Sequence, residues 1–274
     1  MLILFFLHRF LASFYVKESY AESKTSKLLI ATGISPKPCK TSIGDYVNLQ
    51  SFLNKLQYSE LKGYESEFNA IQVDREMNGP WNKVALIKKL LKERQNEWIM
   101  WVDSDALIVN MSFDIPFDRY VGYNLVIWGL DDLLYKKGDP FNGINTGVFL
   151  IRNCDWSREF IELIDSFGKK DGRIKEDLLE KYLNKYLWGL FEQNAFCYVL
   201  KNYEIYKNKT FLETTYDLNG FWKQAFHKLE WNPFILHFAG CQFCSGSNNS
   251  LDVCLEKWNY FNRKANETYE AIKI

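Results

Sequence analysis

Two acidic residues follow directly on an apolar segment. The run from Trp98 to Val102 (WIMWV) has no polar residue on either face, which predicts a strand buried on both sides, and Asp103 and Asp105 come next. Carboxylates are seldom buried unless their charge is compensated. Side chains two positions apart in an extended chain point the same way, so the two acids can converge on one cation. Because ligands of open α/β sheets bind at strand ends, the pair predicts a metal site for a phosphate-bearing substrate; the alternative is a turn whose acids face water.

A third metal ligand is expected from elsewhere, and the chain has three histidines. His8 lies near the N-terminus, whereas His237 ends the apolar run that begins at Phe234. A lone histidine in such a run is more often a core residue hydrogen-bonded to the backbone. Together with the acid pair, however, it favours a site of two carboxylates and one imidazole. Such a site suits Mn²⁺ or Mg²⁺ with open positions for phosphate oxygens and water.

Two further polar motifs fit either ordinary structure or a substrate site. Asn145-Thr-Gly147 precedes an apolar strand, where turn chemistry accounts for it. Glu192-Gln-Asn194 opens a helical segment, where such residues commonly serve as caps. Either motif can also face a cleft, and composition does not decide between these interpretations.

Strands and helices that could position these residues alternate along the chain. The alternation predicts one α/β domain with a largely parallel sheet and helices on both faces. The first helix is predicted to end at Gly63 and to carry Leu49, Phe52, Leu53 and Leu56 on one apolar face. The predicted strands are 28–31, 98–102, 125–128, 147–151 and 234–237, and the other predicted helices are 81–92, 157–167 and 193–202.

Charge and cysteine content exclude some classes of function. Lys and Arg together number 34, as do Asp and Glu, so the chain lacks the net basic charge typical of a nucleic-acid-binding protein. The six cysteines permit disulfides. Cys241 and Cys244 have CxxC spacing, but the second such pair that a four-cysteine zinc site needs is missing.

The N-terminal segment has the composition of a targeting sequence. Residues 1–16 are interpreted as a signal-anchor fragment and 17–27 as a short polar stem before a folded domain spanning 28–274. The apolar part is shorter than the roughly 20 residues of a membrane-spanning helix, so a signal peptide also fits. Mild support for the secretory pathway comes from four Asn-x-Ser/Thr sequons, at Asn110, Asn208, Asn248 and Asn266.

An ordered series of motifs across residues 28–256 resembles one family of Golgi glycosyltransferases. This family includes xyloglucan α-1,6-xylosyltransferases, galactomannan α-1,6-galactosyltransferases, and fungal α-1,2-galactosyl- and α-1,6-mannosyltransferases. The series covers nearly the whole folded part and is far more specific than an isolated Asp-x-Asp. The matching motifs are Thr32-Gly33, Pro36-Lys-Pro-Cys39, Trp81-Asn-Lys83, Trp101-Val-Asp103-Ser-Asp105-Ala, Tyr123-Asn-Leu-Val126, Gly143-Ile-Asn145-Thr-Gly147 with the strand after it, Gln193-Asn-Ala195, Asn219-Gly-Phe-Trp222 and His237-Phe-Ala-Gly-Cys241.

The resemblance implies a GT-A fold with a Rossmann-like, mostly parallel sheet. It implies a lumenal catalytic domain anchored in the Golgi membrane by a type II single span, and a homo- or heterodimer with a related transferase is a further expectation. The implied reaction is retaining transfer of a hexosyl or pentosyl group from a nucleotide sugar, with UDP-xylose or UDP-galactose as expected donors, to a polysaccharide or glycan acceptor.

The resemblance also assigns roles to particular residues. It implies that Mn²⁺ (or Mg²⁺) is held by Asp103, Asp105 and His237. Retention without a strong nucleophile favours front-side attack, with Gln193 stabilising the oxocarbenium-like centre through its carbonyl dipole. The residues implied to face the transferred sugar are Gln193 and Asn145, with Glu192 as the nucleophile of an alternative double displacement. The residues implied to contact the nucleotide sugar are Thr32, Gly33, Lys83, Ser104, Gly240 and Gln242.

The chain departs from the family pattern at three positions. Gln242 replaces a lysine that contacts the donor diphosphate, Phe191 replaces one member of an acidic pair, and Asn219 replaces a histidine. Two interpretations therefore stay open: a transferase with altered substrate preference, and a non-catalytic homologue serving as a partner subunit. A phosphohydrolase of the haloacid dehalogenase type is disfavoured because Leu107 stands where those enzymes have Thr or Val.

Overall fold

The computed structural model describes residues 26–77, 79–136, 140–169, 191–226, 233–246 and 251–273. The predicted signal-anchor fragment, residues 17–25 of the predicted stem, and Asn248 lie outside this part. None of the described helices is long and apolar enough to cross a membrane. The strands are β1 (Leu28–Gly33), β2 (Glu65–Asn69), β3 (Trp98–Val102), β4 (Ala106–Ile108), β5 (Leu125–Gly129), β6 (Ile144–Arg152), β7 (Thr210–Glu213), β8 (Gly220–Phe221) and β9 (Ile235–His237). The α-helices are α1 (Ser42–Lys62), α2 (Trp81–Glu93), α3 (Asp155–Gly168), α4 (Glu192–Asn202), α5 (Glu204–Lys207) and α6 (Leu251–Lys273).

Six strands form the main sheet, in the order β2-β1-β3-β6-β5-β7. β1 is parallel to both β2 and β3, and β5 is parallel to β7. β6 runs antiparallel to both of its neighbours, β3 and β5. The sheet is therefore mixed but mostly parallel, in agreement with the predicted class. The direction of β6 was beyond prediction, since a buried apolar run has the same pattern in either direction.

Helices cover both faces of this sheet. On one face α2, α3 and α4 pack through Leu86, Phe160 and Phe196 against alternate residues of the strands. The opposite face packs against Tyr58 of α1 and Tyr269 of α6. Because side chains alternate along a strand, each central strand contributes to both layers, which explains its uninterrupted apolar sequence.

A smaller sheet of three strands, in the order β4-β9-β8, lies next to the end of β3. β9 is antiparallel to β4 and parallel to β8, with Ala106 opposite His237. The sequence prediction identified β9 but neither β4 nor β8. With only two residues, β8 is too short to produce a recognisable hydrophobic period.

The predicted apolar face of α1 is mostly exposed to solvent, and the helix ends where predicted. Leu49, Leu53 and Leu56 are 56%, 38% and 41% exposed. The helix ends at Gly63, whose left-handed backbone (φ 65°) lets its N–H bond to the last turn. The face turned towards the protein instead carries the residues Gly44, Val47, Ser51, Asn54, Lys55, Tyr58 and Ser59.

Polar side chains on α1 are buried because they bind the backbone of β4. The Asn54 amide donates to the carbonyl of Ile108 (2.8 Å) and accepts from its N–H (2.9 Å). The Lys55 ammonium donates to the carbonyls of Ala106 (2.8 Å) and Ser51 (3.3 Å). Burial lowers the pKa of Lys55 to about 7. A short strand leaves backbone groups that must be paired, and this requirement outweighs the hydrophobic pattern of the helix.

Two disulfides hold the loop that follows β9. Cys244 bonds to Cys39, in the loop after β1, and Cys241 bonds to Cys254 of α6. The two cysteines of the CxxC pair therefore bond in different directions rather than to one metal. The remaining cysteines, Cys154 and Cys197, form no disulfide.

Removing these disulfides is expected to destabilise the protein to different degrees. They close segments of 205 and 13 residues, and the chain-entropy relation gives losses of about 5 and about 3 kcal/mol for such loops. Urea unfolding of Cys39→Ser/Cys244→Ser and of Cys241→Ser/Cys254→Ser measures both, and each double variant avoids a stray thiol. A larger loss from the second variant would contradict the loop-length argument.

Candidate active site

Asp103, Ser104 and Asp105 form a tight turn between β3 and β4. The N–H of Ala106 donates to the carbonyl of Asp103 (3.0 Å), so the acids do not lie on extended chain as their spacing suggested. Their carboxylates converge because β4 begins directly after the turn and pairs with β9. This pairing places His237 opposite Ala106, and the N–H of Phe238 bonds to the carbonyl of Asp105 (2.8 Å).

The structure brings the three predicted metal ligands together. One ligand atom each from Asp103, Asp105 and His237 lies within 4.8 Å of the others. His237 Nε2 is 3.2 Å from Asp105 Oδ1 and 3.9 Å from Asp103 Oδ2. Two carboxylate oxygens and one imidazole nitrogen at this spacing fit a divalent cation such as Mn²⁺ or Mg²⁺.

Neighbouring side chains orient the carboxylate of Asp103. Its Oδ1 accepts from the indole N–H of Trp101 (2.6 Å) and faces the Lys83 ammonium (3.0 Å). Its Oδ2 is the oxygen on the side of His237. Trp101 and Lys83 thus hold Oδ1 of Asp103, and this fixes the direction in which Oδ2 points.

The site concentrates charge in a partly buried environment, where the side chains of Asp103 and Asp105 are 25% and 34% exposed. Burial raises the pKa of the Asp103 carboxyl. Burial also acts to raise the pKa of Asp105, but the adjacent His237 outweighs it and lowers that pKa. Burial disfavours the Lys83 ammonium, yet Asp103 and Glu192 together raise its pKa above the ordinary value. Opposed shifts in neighbouring groups are typical of a functional site.

Gly147 makes room for the imidazole of His237. A Cβ on this residue would lie 2.2 Å from Cε1 and 2.6 Å from Nδ1 of His237. Only a residue without a side chain lets the imidazole lie so close to the backbone of β6. The Asn145-Thr-Gly147 motif is therefore part of strand β6 and of the site, and not a turn before the strand.

Glu192 and Gln193, at the start of α4, pack against the same strand. Glu192 Oε1 pairs with Lys83 Nζ (2.8 Å) and accepts from the Thr146 hydroxyl (2.9 Å). Gln193 Oε1 accepts from the N–H of Thr146 (3.1 Å), and its Nε2 donates to the carbonyl of Phe141 (2.8 Å). Glu192 is 3% exposed and Gln193 is 9% exposed. Lys83 pairs with both Glu192 and Asp103 and so connects the start of α4 to the acid turn. The catalytic roles predicted for Glu192 and Gln193 stay predictions.

Beside the acid pair lies a cavity of about 470 Å³. Its walls are the loop after β1, the segment from Asn69 to Leu86, the acid turn and the disulfide-bonded loop. Six of the predicted site residues line it: Gly33, Lys83, Asp103, Ser104, Asp105 and Gln242. Thr32 is buried behind Gly33, and Gly240 provides a left-handed backbone (φ 83°) before Cys241.

Several polar residues of this cavity were missed by the sequence reasoning. The amides of Asn48, Asn69, Gln72 and Asn82 all line it. Isolated amides in helices and loops carry no spacing signal. Asn82 lies in the Trp81-Asn-Lys83 motif, but no role was assigned to it. The presence of glycine at position 33 has a clear structural reason, because a Cβ there would lie 3.2 Å from the ring of Trp101.

Gln242 stands on the wall of the cavity in an uncommon backbone conformation. Among the described residues it alone has a positive φ (51°) without being glycine. The Ser245 hydroxyl lies 3.3 Å from its Oε1, and Cys241 and Cys244 anchor the loop on either side. The loop thus holds Gln242 at the cavity.

Residues 24–248 match the sequence profile of the galactosyl transferase GMA12/MNN10 family, which covers most of the chain. The chain belongs to this family. Among its curated relatives, xyloglucan 6-xylosyltransferase 4 of Arabidopsis thaliana is 37% identical over 253 residues, or 84% of this chain and 48% of the relative. Galactomannan galactosyltransferase 1 of Cyamopsis tetragonoloba is 31% identical over 294 residues, or 90% of this chain and 67% of the relative. The chain spans about half the length of most of the curated relatives it matches.

A solved structure confirms the fold of this family member. A glycosyltransferase involved in the glycosylation of the major capsid of PBCV-1 superposes with a TM-score of 0.52 at 15% identity. The match covers 86% of this chain and 98% of the other. The predicted GT-A architecture is therefore correct, and so is the predicted family.

Proposed function

We propose that this family member is a metal-dependent, retaining glycosyltransferase. It would move a hexosyl or pentosyl group from a nucleotide sugar to a polysaccharide or glycan. The observation that carries the proposal is the convergence of Asp103, Asp105 and His237 beside a cavity of about 470 Å³. The relatives named as xylosyl- and galactosyltransferases support UDP-xylose or UDP-galactose as donor.

The charged residues of the site suit a diphosphate leaving group. A divalent cation held there would supply positive charge to balance the negative charge that develops as the glycosidic bond breaks. Asp103 and Asp105 would hold it, while Lys83 and Trp101 keep Asp103 oriented. His237, on strand β9 next to β4, would be the third ligand from the protein.

The surroundings of Glu192 favour front-side attack over double displacement. Its carboxylate is 3% exposed and paired with Lys83, so it is poorly placed to attack a sugar carbon. The Gln193 amide is held at both ends, by Thr146 and Phe141, which gives its carbonyl dipole a set direction. Electrostatic stabilisation of an oxocarbenium-like centre requires such preorganisation.

The disulfides support a lumenal location. Disulfides persist in the secretory pathway and are rare in the cytosol, and the two described here join distant parts of the fold. We therefore infer a Golgi lumenal domain, with a dimer as a further proposal. The competing function, a non-catalytic partner subunit, is favoured by Gln242, because that position lacks the positive charge expected beside a diphosphate.

A donor panel tests the proposal directly. Thermal shift with UDP, UDP-xylose, UDP-galactose and GDP-mannose, each with Mn²⁺ or with EDTA, is expected to show Mn²⁺-dependent stabilisation by at least one UDP-sugar. A ligand at 100 times its Kd stabilises the folded state by about 2.7 kcal/mol. Slow Mn²⁺-dependent hydrolysis of the same donor would establish the chemistry. Absence of both binding and hydrolysis would support the partner subunit instead.

Restoring the missing charge offers a second test. Gln242→Lys is expected to tighten UDP binding about tenfold or more, because a hydrogen bond to a charged group contributes about 1.5 kcal/mol or more. Gln242→Met, which has similar length without charge, serves as the control and should not tighten binding. Equal affinities of Gln242→Lys and the unaltered protein, measured by titration calorimetry, would place this residue away from the diphosphate.

A further inference from the structure

One chain of hydrogen bonds runs from the backbone of β6 to the imidazole of His237. The N–H of Gly147 lies 2.8 Å from Asn145 Oδ1. The same oxygen is 2.6 Å from Asn219 Nδ2. Asn219 Oδ1 lies 2.9 Å from His237 Nδ1. These four residues come from β6, from the turn before β8 and from β9, so nothing in the sequence indicates that hydrogen bonds connect them.

The direction of every bond in this chain follows from its first member. A backbone N–H can only donate, so the Asn145 atom that faces Gly147 is the amide oxygen. That oxygen can only accept, so Asn219 turns its amide nitrogen towards it. The Asn219 atom that faces His237 is then the amide oxygen. Because this oxygen can only accept a hydrogen bond, His237 Nδ1 must carry a proton. The backbone therefore determines both amide orientations, which are otherwise ambiguous, and the histidine tautomer.

We propose that Asn219 is a positioning residue that holds His237 as the Nδ1–H tautomer and fixes the orientation of the Asn145 amide. Nε2, the nitrogen on the side of Asp103 and Asp105, is then the one left to bind a cation in place of a proton. Asn219 and His237 are 6% and 7% exposed, so bulk water does not replace the bond between them.

The same bonds determine what Asn145 offers to a ligand. Its Oδ1 already accepts from Gly147 and Asn219, so the part of the amide left for a substrate is the Nδ2 donor. The sugar atom that meets Asn145 would therefore be a hydrogen-bond acceptor, such as a hydroxyl oxygen. This consequence rests on the proposed sugar transfer, whereas the tautomer of His237 does not.

The tautomer is measured directly by ¹⁵N NMR of the imidazoles in alkaline buffer, with and without Mg²⁺. The chain has three histidines, and His227→Gln together with His237→Gln assigns the signals. We expect a protonated Nδ1 for His237 with and without Mg²⁺. Mg²⁺ is expected to replace the proton that Nε2 shares with the Asp105 carboxylate, 3.2 Å away, and to shift the Nε2 signal. An unprotonated Nδ1 in the metal-free protein would overturn the inference. A protonated Nδ1 with no response to Mg²⁺ would leave it standing and contradict the proposed metal site.

Two substitutions distinguish the hydrogen bond that Asn219 makes to His237 from the one that it makes to Asn145. Asn219→Leu keeps the approximate size but neither bond, and is expected to weaken Mn²⁺ binding about tenfold to a hundredfold. Asn219→Asp keeps the acceptor for His237 but sets an oxygen against Asn145 Oδ1. It is expected to keep Mn²⁺ affinity within about threefold while weakening UDP-sugar binding and hydrolysis.

Asn202→Asp, at an exposed helix end, is the charge-matched control and should change neither quantity. Mn²⁺ affinity is read by electron paramagnetic resonance in the absence of donor. Unchanged Mn²⁺ affinity in Asn219→Leu would overturn the inference. Equal losses of Mn²⁺ affinity in the Asp and Leu variants would also overturn it.

Discussion

Asp105→Asn is expected to abolish sugar transfer while leaving the fold intact. Asparagine has nearly the same size, and the backbone bond from Phe238 to residue 105 does not involve the side chain. The substitution removes a negative charge that lies 3.2 Å from His237 Nε2 and that would also attract a bound cation. Loss of several kcal/mol of transition-state stabilisation corresponds to a rate lower by roughly a thousandfold or more.

The measurement compares UDP-sugar hydrolysis, Mn²⁺ affinity and melting temperature of this variant with those of Asp118→Asn. Asp118 is exposed and lies outside the site, so its substitution should change none of the three. Full activity of Asp105→Asn in chelator-treated buffer would exclude the metal mechanism. A large loss of melting temperature would instead show that Asp105 is needed for folding.

Gly147→Ala is expected to be almost as damaging, although it adds only one methyl group. The new Cβ would lie 2.2 Å from the His237 ring, a distance that real side chains do not adopt, so the imidazole must move. The shift would also break the His237–Asn219 bond. We expect Mn²⁺ affinity to fall at least tenfold and activity to fall in proportion.

A double variant distinguishes displacement of the histidine from general damage to β6. His237→Ala alone is expected to weaken Mn²⁺ binding by removing one ligand. If Gly147→Ala acts through the ring, then Gly147→Ala/His237→Ala should bind Mn²⁺ as His237→Ala does and should melt no lower than Gly147→Ala. Additive losses in the double variant would show that the methyl group disturbs the strand itself.

The elements of the site with strong local patterns were predictable from the sequence. The uninterrupted apolar run before Asp103 indicated a buried central strand, and the acids after it indicated a compensating cation. His237 was identified for the same reason, as a polar residue at the end of an apolar run. The ordered motifs indicated the family, which the match over residues 24–248 confirms.

The face of α1 shows why a hydrophobic period can mislead. Leu49, Leu53 and Leu56 have helical spacing, yet they are exposed and Lys55 is buried. The period records where apolar residues lie on the helix and contains no information about which neighbour needs hydrogen bonds. The backbone groups of β4 that need hydrogen-bond partners determine which face is buried, and β4 itself was not predicted.

Sequence alone thus determined the fold class, the family and the three candidate metal ligands, because each depends on a local pattern or an ordered set of motifs. Tertiary structure alone decided the direction of β6, the disulfide partners and the bonds that join Gly147, Asn145, Asn219 and His237. Hydrogen bonds between distant strands depend on atomic positions set by packing, and residue spacing along the chain does not encode those positions. The ligands could therefore be named from the sequence, whereas the orientation of their side chains could not.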